Sequence, residues 1–374
     1  MNKMEGIRCT AADSLFCKGE MMKKNLLLYG LVLCLLLALT GCGKDTAEQT
    51  QSADTITITD SIGRTVTVPY PLTRVVVSNA YNAELINAVG ALDTVVGVDN
   101  YIFNDEAGFK GRFKQDQVIG ANQGNLNYEK IIELQPQALI LTGNGGWEDA
   151  ADKLGKFGIA VIVVDAYYTR EFQDNCALIG KLFGKEAEAA ELSAFFTEKL
   201  DYIKRQTANV PKKDLYFEYR TEGKTTVPGD YFYDMVEYSG AHNIFGDAKN
   251  VQVNPEAVIE RNPAYIVKVS EPKVNSSYIP PTPEDHARIL SELKTREGWD
   301  TIDAVKNDRI LLLSHYAHGG ASKLVGTMYI AKFLYPEQLP DLHPEDVFKV
   351  WLEKYQHLPY IEGHTYPAFP LTGE

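Results

Sequence analysis

Two histidines, His315 and His318, follow the apolar run Leu311-Leu312-Leu313. Three residues apart, they share one face if the turn is helical, an arrangement that suits a metal ion. No third histidine or carboxylate lies at a spacing that completes a strong site, so a polar loop pair without a metal reads the same residues more simply. A second pair is acidic. Glu129 lies in Leu126-Asn127-Tyr128-Glu129-Lys130-Ile131-Ile132, and Glu256 in Val253-Asn254-Pro255-Glu256-Ala257-Val258-Ile259. Each falls in the first turn of a short helix, where the macrodipole favours a carboxylate. Singly, each is an ordinary helix-start glutamate; recurrence in matching surroundings marks them. Aromatic and polar residues collect where apolar runs end. They are Asn79 and Tyr81, Tyr101, Asn144 with Trp147, and Tyr167 with Tyr168; further on, Tyr219 with Arg220, Tyr231 with Phe232, and Tyr316 between the histidines. Such rings offer flat apolar faces with polar edges. The chain holds 21 tyrosines, so surface and core residues are expected among them. Arg220, and with it Lys323, suits an anionic ligand; a rim ion pair is the other reading of Arg220. Catalytic signatures are absent: there is no G-x-S-x-G, P-loop, H-E-x-x-H or C-x-x-C, and Gly143-Asn144-Gly145-Gly146 lacks nucleotide-turn spacing.

These residues need a scaffold that gathers strand ends. Thr55 to Thr59 alternates as a strand, and Ser61 to Val68 is its hairpin partner across Asp60 and Gly63. Four β-branched runs follow, Arg74 to Ser78, Thr94 to Val98, Ala138 to Thr142 and Val161 to Val164, separated by helical patterns or loops. Near-continuous apolar strands spaced by helices predict a parallel sheet covered on both faces, with ligands at the carboxyl ends of its strands. From Lys185 to about Gln206 there is no glycine or proline, and Leu192, Phe195, Phe196, Leu200 and Ile203 share a helical face. A second strand series, Leu215 to Tyr219, Tyr265 to Val269 and Arg309 to Leu313, comes after it. The pattern is α/β: two doubly wound lobes joined by one long helix, with the cleft between them. Expected boundaries are 55–184 for the first lobe, 185–210 for the helix, 211–335 for the second lobe and 336–374 for a C-terminal helix (Asp346 to Tyr355) and tail. The 374 residues suit about two domains. A net charge of -13 argues against nucleic acid as a partner.

The N-terminus reads as an address. Lys23-Lys24 precede an apolar run from Leu26 to Leu39, which ends in Thr40-Gly41-Cys42. The cysteine after those small residues resembles the bacterial lipobox, which implies a signal peptide over 1–41, lipidation at Cys42 and a polar tether over 42–54. Residues 1–20 carry Asp13 and Glu20 and fit a start codon placed too early. An uncleaved N-terminal membrane helix is the other reading. Processing would leave only Cys42 and Cys176, so no intramolecular disulfide is expected.

Four segments, taken in order, resemble one family. TITDSIGRTVTVPYPLTRVVV looks like the opening hairpin and first buried strand of substrate-binding proteins of ABC importers, in the helix-hinged class serving ferric siderophores, haem and cobalamin. GNLNYEKIIELQPQALIL and VNPEAVIERNPAYIVKV resemble that family's glutamate helix and following strand, once in each lobe. VEYSGAHNIFGD resembles its Gly-Gly-x-Asn-hydrophobic-Phe turn, with Ala241 and His242 departing from it. The likeness covers about residues 55 to 335. It implies a monomeric lipoprotein on the extracytoplasmic face of the cell membrane, without enzymatic activity or resident cofactor. That protein would capture a ferric chelate, haem or corrinoid and pass it to a permease dimer and its ATPase. Glu129 and Glu256 would meet arginines of the permease. Ligand contacts would come from Asn79, Tyr81, Tyr101, Asn144, Trp147, Tyr168, Tyr219, Arg220, Tyr231, His315 and Tyr316. Two alternatives stand: a free-metal-ion receptor using His315 and His318, and a secreted hydrolase-like α/β enzyme, which would need a nucleophile–base pair the sequence does not display.

Overall fold

A computed structural model describes residues 54–105, 108–109, 111–166, 168–270 and 278–372. The signal segment, Cys42, the tether up to residue 53 and Tyr167 lie outside the described residues. The chain enters as an antiparallel hairpin of β1 (Thr55–Thr59) and β2 (Thr65–Pro69), with Thr55 opposite Pro69 and Thr59 opposite Thr65. Asp60 closes its turn by accepting from the Arg64 amide at 2.9 Å and guanidinium at 2.6 Å. Gly63 supplies the left-handed conformation this turn needs, at φ 81°.

The first lobe contains β3 (Val75–Val77), β4 (Val95–Val98), a short ribbon of β5 (Gly120–Asn122) and β6 (Asn125–Leu126), then β7 (Ala138–Leu141) and β8 (Ala160–Val163). Its parallel sheet runs β4-β3-β7-β8. Alternate side chains explain the unbroken apolar runs. Val75 and Val77 enter the main core, while Val76 points to a smaller one with Leu139, Leu141 and Leu154. The second lobe repeats the plan with β9 (Asp214–Glu218), β10 (His242–Asn243), β11 (Tyr265–Ser270), β12 (Ile310–Ser314) and β13 (Thr365–Tyr366), ordered β10-β9-β11-β12-β13. Leu311 and Leu313 join the main core; Leu312 joins a satellite with Trp299.

Between the sheets lie helix Phe172–Phe183 and the 22-residue interlobe helix Glu186–Thr207. At ~1.5 Å per residue the latter is a rod of ~33 Å. It buries Ala189, Leu192, Phe196 and Ile203, with Phe195 and Leu200 partly covered. Gly180 permits the close approach of the two helices, since a Cβ there would lie 2.6 Å from that of Ala189. The architecture is two doubly wound α/β lobes joined by one long helix.

Residues 337–372 are built into this fold. Helix Pro344–Val350 continues into wider π turns over Trp351–Gln356, and β13 pairs antiparallel with β12. Phe348, Trp351, Leu352 and Tyr355 enter the main core. Trp351 lies 5.6 Å from the Phe196 ring and Tyr355 lies 5.3 Å from Phe195, both on the interlobe helix. Gln356 Nε2 donates to Glu84 O at 3.1 Å, and Asn87 Nδ2 donates to Gln356 O at 3.2 Å. The segment therefore touches both lobes and the helix between them.

Candidate functional site

The carboxyl end of β3 leads into helix Ala80–Ala88 through Asn79, whose φ is 91°. Asparagine tolerates this conformation better than most residues. Asn79 Oδ1 accepts from the Tyr81 amide at 2.9 Å, and Asp99 accepts from the Asn79 amide at 2.9 Å and from Ser78 Oγ at 2.7 Å. Asn79 thus serves as a helix cap that aims Tyr81. A Cβ on Gly319 would lie 3.0 Å from the Tyr81 hydroxyl, so Tyr81 of the first lobe meets the turn after β12 in the second. Glu84, one helical turn on, is buried against Gly320 of the same turn. Burial, with Asp105 adding to it, pushes the Glu84 carboxyl up to about 8, although the Ala321 amide works against the shift.

Across the lobes, the rings of Tyr168 and Tyr231 stand 5.4 Å apart. Arg170 lies over Tyr168 at 4.0 Å, and its Nη1 is 2.8 Å from Asp234 Oδ2. Burial raises both tyrosine hydroxyls, with each helped by a neighbour: Tyr231 for Tyr168, Asp165 for Tyr231. Behind this pair, Phe232 stacks on Tyr219 at 5.1 Å and lies 5.0 Å from His318, which stands 4.8 Å from His315. His318 is fully buried, and burial, followed by His315 and Lys323, holds its imidazole well below the usual range. It is therefore neutral. Lys323 Nζ donates to Tyr231 O at 2.9 Å and sits 4.9 Å above Phe232. Its burial brings the ammonium down to about 7. The arrangement is an aromatic lining with one tunable cation and two adjacent imidazoles. No group of three or more His, Cys, Asp or Glu side chains is placed for a metal ion among the described residues.

Seven of the expected ligand residues, Asn79, Tyr81, Tyr168, Tyr219, Arg220, Tyr231 and His315, fall in or beside this assembly. Four do not. Tyr101 is 69% exposed. Asn144 Oδ1 accepts from Thr142 in its own loop at 2.6 Å and from Gln123 of the β5–β6 turn at 2.9 Å. Trp147 carries the Arg64 guanidinium on its face at 4.3 Å, beside the opening hairpin. Arg220, at the edge of the assembly, lies over the Tyr219 ring at 4.7 Å and also lines a cavity of about 460 Å³ with Glu222, Lys268, Arg288, Glu292 and Arg296, all of the second lobe. Tyr316 is turned into the core against Tyr278, Phe348 and His364, because the C-terminal segment covers that side of the turn. Sequence reasoning missed Glu84, Arg170 and Asp234. For Glu84 a signal existed, an acid three residues after Tyr81 in an otherwise uncharged helix. None existed for the interlobe ion pair.

Glu129 and Glu256 occupy the same place in two copies of one local structure. Each is the second residue of a short helix, Tyr128–Glu133 or Pro255–Arg261, capped by Asn127 or Asn254. Each helix is followed by a left-handed residue before a proline, Gln135 at φ 48° and Asn262 at φ 41°, and then by β7 or β11. Both glutamates are exposed.

Two α/β lobes, a single stiff connecting helix and an aromatic seam at the strand ends define a substrate-binding protein. The periplasmic binding protein profile matches residues 75–317, and the chain belongs to that family. It is 26% identical over 84% of its length to the uncharacterised ABC transporter substrate-binding lipoprotein YvrC of Bacillus subtilis, covering 99% of that protein. It is 27% identical over 78% of its length to the iron(3+)-hydroxamate-binding protein YxeB of the same organism, covering 89% of it. A similar fold occurs in the crystal structure of the TroA-like periplasmic binding protein FepB of Veillonella parvula, with a TM-score of 0.70, 23% identity and 84% and 100% of the two chains covered. The protein is the extracytoplasmic substrate-binding component of an ABC transporter, whose partners are a permease and an ATPase.

Proposed function

We propose that this protein is a lipid-anchored receptor that captures a chelated metal on the outer face of a bacterial membrane and delivers it to an importer. The observation that carries this reading is the aromatic character of the interlobe seam, where Tyr168 of the first lobe meets Tyr231 of the second at 5.4 Å and Tyr219, Phe232 and His318 of the second lobe cluster at 5.0–5.2 Å. Flat rings with polar edges suit a bulky organic chelate. A bare cation would demand a compact shell of imidazoles and carboxylates. Lys323 supplies positive charge beside those rings, which favours an anionic or polarisable ligand. YxeB's hydroxamate ligand supports a ferric siderophore first, with haem and corrinoids as the other members of the class. Lipid anchoring is supported by Leu39-Thr40-Gly41-Cys42 and by the lipoprotein relative.

The test is a titration of apo-protein by intrinsic tyrosine and tryptophan fluorescence with a ferric hydroxamate, haem, cobalamin, molybdate and free Zn²⁺ or Mn²⁺. Saturable binding of one chelate, with little response to the free ions, is the expected result. Tight binding of a free divalent ion, lost in His315→Ala and without response to any chelate, would favour the metal-ion reading instead.

A further inference from the structure

The lobes are tied to each other in two physically different ways. Beside the interlobe helix the tie is buried: Asn87 and Gln356 are closed off from water, and Trp351 and Tyr355 pack on Phe196 and Phe195. Separating those groups would expose apolar surface and strand buried amides. At the aromatic seam the tie is open to solvent. Arg170 of the first lobe pairs with Asp234 of the second at 2.8 Å, with side chains 43% and 16% exposed. Arg170 also lies 3.6 Å from Glu171, and Tyr168 and Tyr231 form the ring contact beside it. An exposed ion pair shifts an equilibrium by only about 1.4–5-fold and weakens in salt. Of these ties Arg170–Asp234 is the one that water and salt reach, while the C-terminal segment and the contacts of Tyr81 and Glu84 with Gly319 and Gly320 keep the lobes joined.

We propose that Arg170 and Asp234 form a breakable latch on the cleft, and that its opening admits and releases the ligand. The proposal rests on the seam being the ligand site, as inferred above. Its first test needs no ligand. Full-length protein in detergent, carrying noncanonical dye-bearing residues in place of exposed Lys156 and Lys306, is followed by single-molecule energy transfer. Arg170→Ala and Asp234→Ala should each enlarge the low-transfer population ~2–5-fold. The exchanged pair, Arg170→Asp with Asp234→Arg, should restore the wild-type distribution, and ~1 M salt should make wild type resemble the single variants. Single-variant distributions that superimpose on wild type at both low and high salt would overturn the latch. A second arm measures dissociation of a ferric hydroxamate, which should be faster in the single variants and restored in the exchanged pair. If the probe binds but its release is unchanged in every variant, the latch falls and the binding reading stands. If it does not bind, the energy-transfer arm still decides the latch.

Discussion

Glu84 is a carboxyl group that folding keeps protonated near neutral pH. Its pKa rises from 4.5 to about 8 because the side chain is closed off against Gly320 and shares the region with Asp105. In the unfolded chain the group ionises at its ordinary value, so between about pH 4.5 and 8 the folded state binds more protons. Its contribution to stability is whole below pH 4.5 and is lost as pH climbs through 8. At ~1.4 kcal/mol per unit the ceiling of this loss is ~5 kcal/mol. Lys323 pulls the other way above pH 7, because its ammonium falls from 10.5 to about 7 on burial. The clean comparison is therefore wild type minus Glu84→Gln. Urea unfolding at pH 5, 7 and 9 should show the variant gaining relative stability as pH rises, and a flat difference would remove the buried-acid assignment. Residues like Glu84 are hard to find in a sequence. Tyr219 and Tyr231 were legible because they end or follow strands, whereas Tyr101 and Asn144 occupy similar turns and do not join the seam. A turn's chemistry does not say which way its side chains point.

The C-terminal helix works as a strut between lobes. Gln356→Ala would remove the Nε2 bond to the Glu84 carbonyl and the longer Oε1 contact with Asn87, while keeping the Asn87 bond to the Gln356 backbone carbonyl, and should cost ~0.5–1.5 kcal/mol, read as a lower urea midpoint with an unchanged slope. An unchanged midpoint would mean that the strut is held by its rings and that backbone bond. The glutamate helices make a different prediction. Taken as docking carboxylates, the exposed Glu129 and Glu256, each one residue into an asparagine-capped helix, predict that reversing both charges abolishes uptake in cells while leaving ligand affinity as it was. Normal transport by Glu129→Lys/Glu256→Lys would end their docking role. The buried central strands of both lobes were legible, since covered parallel strands are β-branched runs bounded by turns, whereas the short ribbon β5–β6 and the two-residue β10 were not. The tail was not, because β13 is only Thr365–Tyr366 and owes its existence to the free edge of β12. The paired helices could be matched by sequence because the pattern from asparagine cap to proline repeats almost residue for residue.

At the scale of the molecule, the proposed anchor puts membrane attachment at the N-terminus, since a net charge of -13 supplies no attraction to an anionic surface. Cys42→Ala should leave the protein soluble or unprocessed. Membrane partitioning of that variant with a normal mature mass would refute the anchor. The fold brings an aromatic seam, a neutral buried His318 and the Lys323 ammonium to one place between two lobes, and this convergence is what points to a chelate rather than an ion. The most direct measurement is native purification from iron-limited cells, followed by native mass spectrometry and an absorbance spectrum of whatever remains bound. One bound ferric chelate or tetrapyrrole per chain is expected, with its charge-transfer or Soret band in the visible. A stoichiometric bare divalent ion, with no organic mass and no visible band, would contradict it.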